Sequence, residues 1–241
     1  MAQNAPMDRL ARRHLMAVAL AFALALAPGA TAQAQRAPSA QEVAAYAGLF
    51  AAAHAGDAAA IARLAAAGAP VDARDGYGRT PLHVAAYAGR GEAMRALVRA
   101  GANPNALERD RYDIVTIAAV ANDAPTLALA LELGASARNV TSRYDGTALI
   151  AAAHLGHVEA VRLLIDAGAP LDHVNNLGWT ALIEAIVLGD GGPRHAATLK
   201  ALVDAGADVN LPDRHGSTPV ALARQRGYAA MAAILEGAGA R

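Results

Sequence analysis

The stretch Asp75-Gly76-Tyr77-Gly78-Arg79-Thr80-Pro81-Leu82-His83-Val84-Ala85-Ala86-Tyr87-Ala88-Gly89 opens with turn residues, passes through Thr-Pro and ends on glycine. Thr80 can accept a hydrogen bond from a free N–H of a helix's first turn, and Pro81 needs no partner at that position. Leu82, Val84, Ala85 and Ala86 supply the apolar positions of a short helix, which Gly89 closes in the left-handed cap conformation. Ala93, Met94, Ala96, Leu97 and Val98 then give a second helix its apolar face, ended by Gly101 in the same way. Two short helices and a loop rich in Asn, Asp, Pro and Gly make one unit.

The unit recurs. Gly68-Ala69, Gly101-Ala102, Gly134-Ala135, Gly168-Ala169, Gly206-Ala207 and Gly239-Ala240 are spaced by 33, 33, 34, 38 and 33 residues. Thr80, Asp113, Thr147, Thr180 and Thr218 follow the same beat. A period of this length predicts a stack of supersecondary units in place of one closed core. The 34-residue step comes from one additional residue between Gly134 and Thr147. The 38-residue step comes from five more between Thr180 and Gly206, with Gly189-Asp190-Gly191-Gly192-Pro193-Arg194 expected to lengthen the turn between two helices. Such an insertion either borders the binding surface or is a neutral loop.

On these residues the chain resembles the ankyrin repeat family, whose signature matches Thr80-Pro81-Leu82-His83-Val84-Ala85. Thr147-Ala148-Leu149 with Gly156-His157, Thr180-Ala181-Leu182, and Thr218-Pro219 with Gly227 repeat it more loosely. The resemblance covers residues 41–241 and implies an all-α solenoid of about six helix-turn-helix units with short β-hairpin-like loops. Units are expected near 41–74, 75–107, 108–141, 142–174, 175–212 and 213–241. Two depart from the pattern: Asp113-Ile114-Val115-Thr116 replaces the signature in the third, and Ala47 stands in the threonine column of the first. His83 takes a structural hydrogen-bonding role by the same resemblance.

Residues 1–32 read as a secretory signal peptide. Arg9, Arg12, Arg13 and His14 precede an uncharged run from Leu15 to Ala27, broken by Pro28-Gly29 and followed by small residues at Ala30 to Ala34. Thirteen apolar residues are too few for a good membrane span. Arg12-Arg13 leaves ordinary and twin-arginine export both open. Residues 33–40 read as a short linker, and the expected destination is the periplasm or the medium.

Composition narrows the chemistry. The chain has no cysteine, which removes disulfides, thiolate metal sites and a cysteine nucleophile. Residues 1–32 hold three Arg and one Asp, so 18 basic residues face 20 acidic ones in the remainder. Near neutrality without a basic run argues against nucleic acid. The histidines form no metal-ligand spacing beyond His154 and His157, three apart, and no nucleophile motif occurs. No catalytic residue, cofactor or resident metal is therefore expected, and the reading is a monomeric, non-enzymatic protein with no membrane contact after cleavage.

Recognition is read from the aromatic residues. Phased on the threonine column, Tyr46, Arg79, Tyr112, Gly146, Trp179 and Ser217 precede it. His54, Tyr87, Val120, His154, Val187 and Gln225 fall seven residues after it, and Tyr77 and Tyr144 lie in the loops. The resemblance places these positions on the concave groove, where Tyr and Trp give large amphipathic contact area. The expected partner-binding set is Tyr46, His54, Tyr77, Arg79, Tyr87, Tyr112, Tyr144, His154, Trp179, Arg214 and His215, facing another protein. An alternative for any one aromatic is packing over a neighbouring hairpin. Two other functions share the surface: a secreted effector or inhibitor of a host or competitor protein, and a small-ligand or metal-binding protein using His54, Tyr87 and His154. Glu92, Arg95, Arg99, Glu159, Arg162 and Asp166 alternate in sign and read as a solvated outer face.

Overall fold

The computed structural model describes residues 35–241, so the segment read as a signal peptide lies outside the described residues. After a short helix α1 (Ala40–Ala45), helices come in pairs: α2 (Gly48–Ala55) with α3 (Ala58–Ala66), and α4 (Pro81–Tyr87) with α5 (Gly91–Arg99). The next are α6 (Ile114–Val120) with α7 (Ala124–Glu132), and α8 (Ala148–His154) with α9 (Val158–Asp166). The last are α10 (Ala181–Val187) with α11 (Pro193–Asp204), and α12 (Pro219–Gln225) with α13 (Ala229–Gly237). The even-numbered members pack in one row, their partners pack in a second, and each pair also packs on itself. The result is an all-α stack of about six helix pairs.

Local chemistry sets the length of the inner helices. From the second pair on, the threonine-column side chain accepts the N–H three residues later: Thr80 from His83, Asp113 from Thr116, Thr147 from Ile150, Thr180 from Ile183 and Thr218 from Ala221. Each outer helix from α3 to α13 ends on the Gly-Ala pair. At Gly101 φ is +95°, and the Ala102 N–H donates back to the Leu97 carbonyl at 3.0 Å, closing the helix. The apolar layer between the rows is continuous, with Ile61, Leu82, Met94, Leu97, Ile117, Leu127, Leu149, Leu164, Leu182, Leu199, Leu202 and Leu235 nearly solvent-free.

The hairpin-like loops are present as tight turns, with a single isolated bridge, Thr141 to Gly146, among the described residues. In each, the first turn residue is bonded to the residue four on: Asp75 N–H to Arg79 O, Glu108 to Tyr112, Asn175 to Trp179 and Asp213 to Ser217, all 3.0 Å. The carboxylate or amide of that first residue accepts N–H groups of its own turn, and in the fourth unit the Ser142 hydroxyl accepts the Tyr144 N–H. Neighbouring tips are then joined backbone to backbone: Arg109 N–H to Tyr77 O at 3.0 Å, Ser142 to Arg111 O at 3.2 Å, and Asn176 to Tyr144 O at 2.9 Å. The additional residue of the fourth unit sits in this turn. There the bond spans Thr141 to Gly146, and Ser142 and Asp145 both have positive φ.

Two segments differ from the sequence expectation. The segment read as a linker ends in a helix cap: Ser39 accepts from the Glu42 N–H while Glu42 accepts from the Ser39 N–H, a reciprocal box that starts α1. The insertion in the fifth unit is only partly turn, because Pro193 and Arg194 begin α11, which runs to 12 residues against 9 in the other outer helices. It is also packed. His195 Nε2 lies 2.9 Å from His154 O and Nδ1 2.7 Å from Asp190 Oδ1, while the Tyr228 hydroxyl donates to Gly189 O at 3.0 Å.

Candidate partner-binding surface

The turn tips and the C-terminal ends of the inner helices form two parallel rows, since every unit carries both at fixed offsets from its threonine column. Along the tips stand Tyr77, Asp110, Tyr144, Leu177 and His215; along the helix ends stand His54, Tyr87, Val120, His154, Val187 and Gln225. Tyr46, His54, Tyr77, Tyr87, Tyr112, His154 and Trp179 are half-buried, while Arg214, His215 and Tyr144 (43 % exposed) are open to solvent. The aromatics thus pack one edge on the stack and leave another accessible, the disposition that favours contact area at low entropic cost.

Arg79 is corrected. It is 1 % exposed, its Nε 2.7 Å from Asp75 Oδ2 and its Nη2 paired with Glu42. Tyr46 donates its hydroxyl to the same Asp75 oxygen at 2.9 Å. A guanidinium at this depth cannot meet a partner; its reach is used to bind α1 to the second unit. Desolvation works to raise the Glu42 carboxyl, but hydrogen bonds from Ser39 and Arg79 outweigh it and hold the group at about 2. Asp75 is lowered too, against desolvation, by bonds from Tyr46, Tyr77 and Arg79.

Arg109 lies 5.3 Å from the Tyr77 ring centroid and Arg79 lies 4.9 Å from it, so cations flank that tyrosine. Burial, then the Glu108 charge, raises the Tyr87 phenol; burial, then Asp110 and Glu108, raises that of Tyr112. Both therefore stay neutral O–H groups at physiological pH, able to donate. Arg214 bonds back to Asn176 O, tying its tip to the preceding one.

The histidines fall into separate roles. His83 is buried, with Nδ1 2.8 Å from Thr80 Oγ1 and Nε2 3.2 Å from Tyr112 O. Burial pushes it down to about 4, so it is neutral, as suits the structural role expected of it. His157 places Nδ1 3.0 Å from Ala119 O, across the joint between units. His154 turns instead toward Glu184, Nδ1 to Oε2 3.4 Å. The 154/157 spacing therefore does not converge on a common point, and the described residues contain no group of three or more His, Asp or Glu able to hold a metal. Nor is any described helix long and apolar enough to cross a membrane.

Sequence reasoning missed Glu184 and Leu188. Glu184 is 5 % exposed, bonded to Asn175 Nδ2 at 2.9 Å. Its equivalents four residues after each threonine column are Val84, Ile117, Ala151 and Leu222, so a carboxylate in an apolar column was the available signal. Leu188 is 44 % exposed at the end of α10.

Ankyrin repeat family models match residues 49–98 and 115–213. Over 80 % of its length the chain is 42 % identical to the crystal structure of an ankyrin repeat domain from Acinetobacter baumannii, covering 98 % of that domain with a TM-score of 0.75. The chain belongs to the ankyrin repeat family. It is also 41 % identical over 103 residues to the putative ankyrin repeat protein YahD of Escherichia coli, a match that takes in 42 % of this chain and 51 % of YahD. The chain thus spans about half the length of that curated relative. The ankyrin repeat domain of Bcl-3, an IκB-family member, superposes with a TM-score of 0.73 at 29 % identity over 81 % of this chain and 87 % of that one. Such domains typically mediate protein binding and are generally non-catalytic.

Proposed function

We propose that this is an exported ankyrin-repeat protein that binds another protein through the concave face, as a non-catalytic scaffold or adaptor in the periplasm. The observation that carries the binding surface is the double row of half-exposed Tyr, Trp and His side chains along the tips and inner-helix ends. Their backbones are fixed by tip-to-tip hydrogen bonds, so little ordering entropy remains to be lost on association. The outer row presents charged residues of alternating sign, which suits a solvated face. Export rests on the charged, apolar and small-residue order of residues 1–32.

Affinity capture from a periplasmic extract tests this reading. A wild-type bait is expected to retain a partner that a bait carrying Tyr87→Ala, Tyr112→Ala and Trp179→Ala loses, with both baits folded by circular dichroism. Equal capture by the two would move the binding surface elsewhere. Fractionation tests export: the processed chain is expected in the periplasm, and an unprocessed cytoplasmic chain would remove that part.

A further inference from the structure

In the first unit α1 stands where the later units carry a turn tip. Glu42 and Tyr46 lie 33 residues before Asp75 and Arg79, so they hold that unit's copies of the first and last turn positions. The chain is helical there, from Ala40 to Ala45, and no residue of α1 is buried. Later tips are joined through the backbone, as Arg109 N–H is to Tyr77 O. Among the described residues no backbone hydrogen bond joins α1 to the second tip. Side chains make the attachment. Glu42 accepts the Ser39 N–H of its own helix with one oxygen and pairs with Arg79 Nη2 through the other, while Tyr46 donates to Asp75 Oδ2.

We propose that α1 is a displaceable occupant of the first tip position, and that a glutamate-bearing helix of the partner protein takes its place on Arg79. This anchor rests on the protein-binding reading and gives one of its contacts a chemistry. Arg79 stands in the column that Tyr112 and Trp179 fill in later units, so α1 covers the first member of that row. A buried guanidinium that loses a counter-charge is strongly destabilised, so whatever displaces Glu42 must bring a carboxylate of its own. Asp75 holds the Nε edge of the planar fork at 2.7 Å, and the newcomer is left the Nη2 side that Glu42 now takes. A basic or apolar side chain does not answer that charge.

The attachment is also built to exchange. The Glu42 side chain is 22 % exposed, so its contact with Arg79 opens to solvent without opening the core. A helix of six residues that buries none of them holds by polar contacts alone. A longer partner helix running on along the row adds the apolar contact that α1 lacks.

Hydrogen exchange and peptide binding in the full chain test the assignment. The double variant Glu42→Gln, Tyr46→Phe removes the carboxylate from Arg79 and the hydroxyl from Asp75. Glutamine can still accept the Ser39 N–H, and phenylalanine keeps the ring stacked on Phe50, 5.3 Å away. The Val43 and Tyr46 amides, bonded to Ser39 O and Val43 O, should exchange about tenfold faster or more in the variant, while the tip amides of Arg109 and Asn176 stay protected and report an intact stack. The binding probe is a fluorescent peptide of residues 38–47, with the same peptide carrying glutamine in place of its glutamate as control. The variant is expected to bind the glutamate peptide about tenfold more tightly than the wild type, whose own α1 competes at high effective concentration. It should bind the glutamine peptide about tenfold more weakly than the glutamate one, the scale of one charge-assisted contact. Unchanged α1 exchange in the variant, equal peptide affinity of variant and wild type, or equal binding of the two peptides would each overturn the proposal. Equal peptide affinities alongside a partner captured by both chains would remove this anchor and leave the protein-binding reading standing.

Discussion

The first joint of the stack and the fifth unit depart from the repeat in opposite ways. Between α1 and the second unit, the joint is sealed by charge: Arg79 lies almost wholly buried between Asp75 and Glu42, with Tyr46 on the same carboxylate. In the fifth unit the extra residues are sealed by shape. A Cβ on Gly191 would lie 2.3 Å from the Tyr228 ring, and one on Gly189 would lie 2.1 Å from Ala185 O. From the second unit to the fifth, neighbouring tips bond to one another through the backbone, Arg109 to Tyr77, Ser142 to Arg111 and Asn176 to Tyr144. Where the beat fails, individual side chains must replace what periodicity supplies elsewhere.

The largest effect should come from breaking the charged seal. Asp75→Ala removes one counter-charge of a buried guanidinium, the Tyr46 partner and the acceptor of two turn N–H groups. Breaking a buried pair from one side costs about 3–5 kcal/mol. Chemical denaturation should show that loss, concentrated in the first two units as an earlier transition. A change within about 0.5 kcal/mol would mean that Arg79 reaches solvent once released.

Breaking the seal of shape should cost somewhat less. Gly191→Ala must displace the Tyr228 ring and hold a non-glycine residue at a φ of +69°. Overpacking and left-handed strain together cost about 2–4 kcal/mol. Tyr228→Ala in the same chain should recover part of the Gly191→Ala loss, because the clash has a single main partner. Additive losses in the double variant would place the strain in the backbone alone.

Acid sharpens the same comparison, since the ion seal and His83 lie in the first half of the stack. His83 is lowered to about 4 by burial. Above the ordinary histidine range both folded and unfolded forms are neutral there, and its stabilisation is complete. As pH falls from about 6.5 toward 4, the unfolded chain binds the proton first, so stability falls by about 2–3 kcal/mol. Glu42, depressed to about 2, loses its contribution in a lower window, below the ordinary glutamate value. His83→Gln should flatten the upper window in denaturation midpoints collected against pH. An unchanged slope would assign that window to another group.

The repeat was legible because its markers are conformational. Thr80, Asp113 and Gly101 act within one turn of the chain, so their roles follow from neighbours in sequence. The short helix α1 carries none of the periodic markers; its only local signal is the capping box of Ser39 and Glu42. The binding rows were legible as positions, yet depth was not. Arg79 and Tyr112 share a column, and only the carboxylates of α1 and of its own turn draw Arg79 inward. Glu184 needs contacts from Asn175, nine residues back, and from His154, thirty back, and no single-unit pattern relates the three.

The smallest effect separates conformation from crowding. At Gly101 nothing lies within 4 Å of an added Cβ, yet φ is +95°. Gly101→Ala therefore tests the left-handed cap with no clash to confuse it, and should cost about 1 kcal/mol in equilibrium denaturation. It also removes the residue whose geometry lets the Ala102 N–H return to Leu97 O, so hydrogen exchange at Ala102 should quicken while the tip amides of Arg109 and Ser142 stay protected. If the tips lost protection as well, the outer-helix end and the tip row would open as one unit. The periodic backbone bonding would then depend on the glycine column.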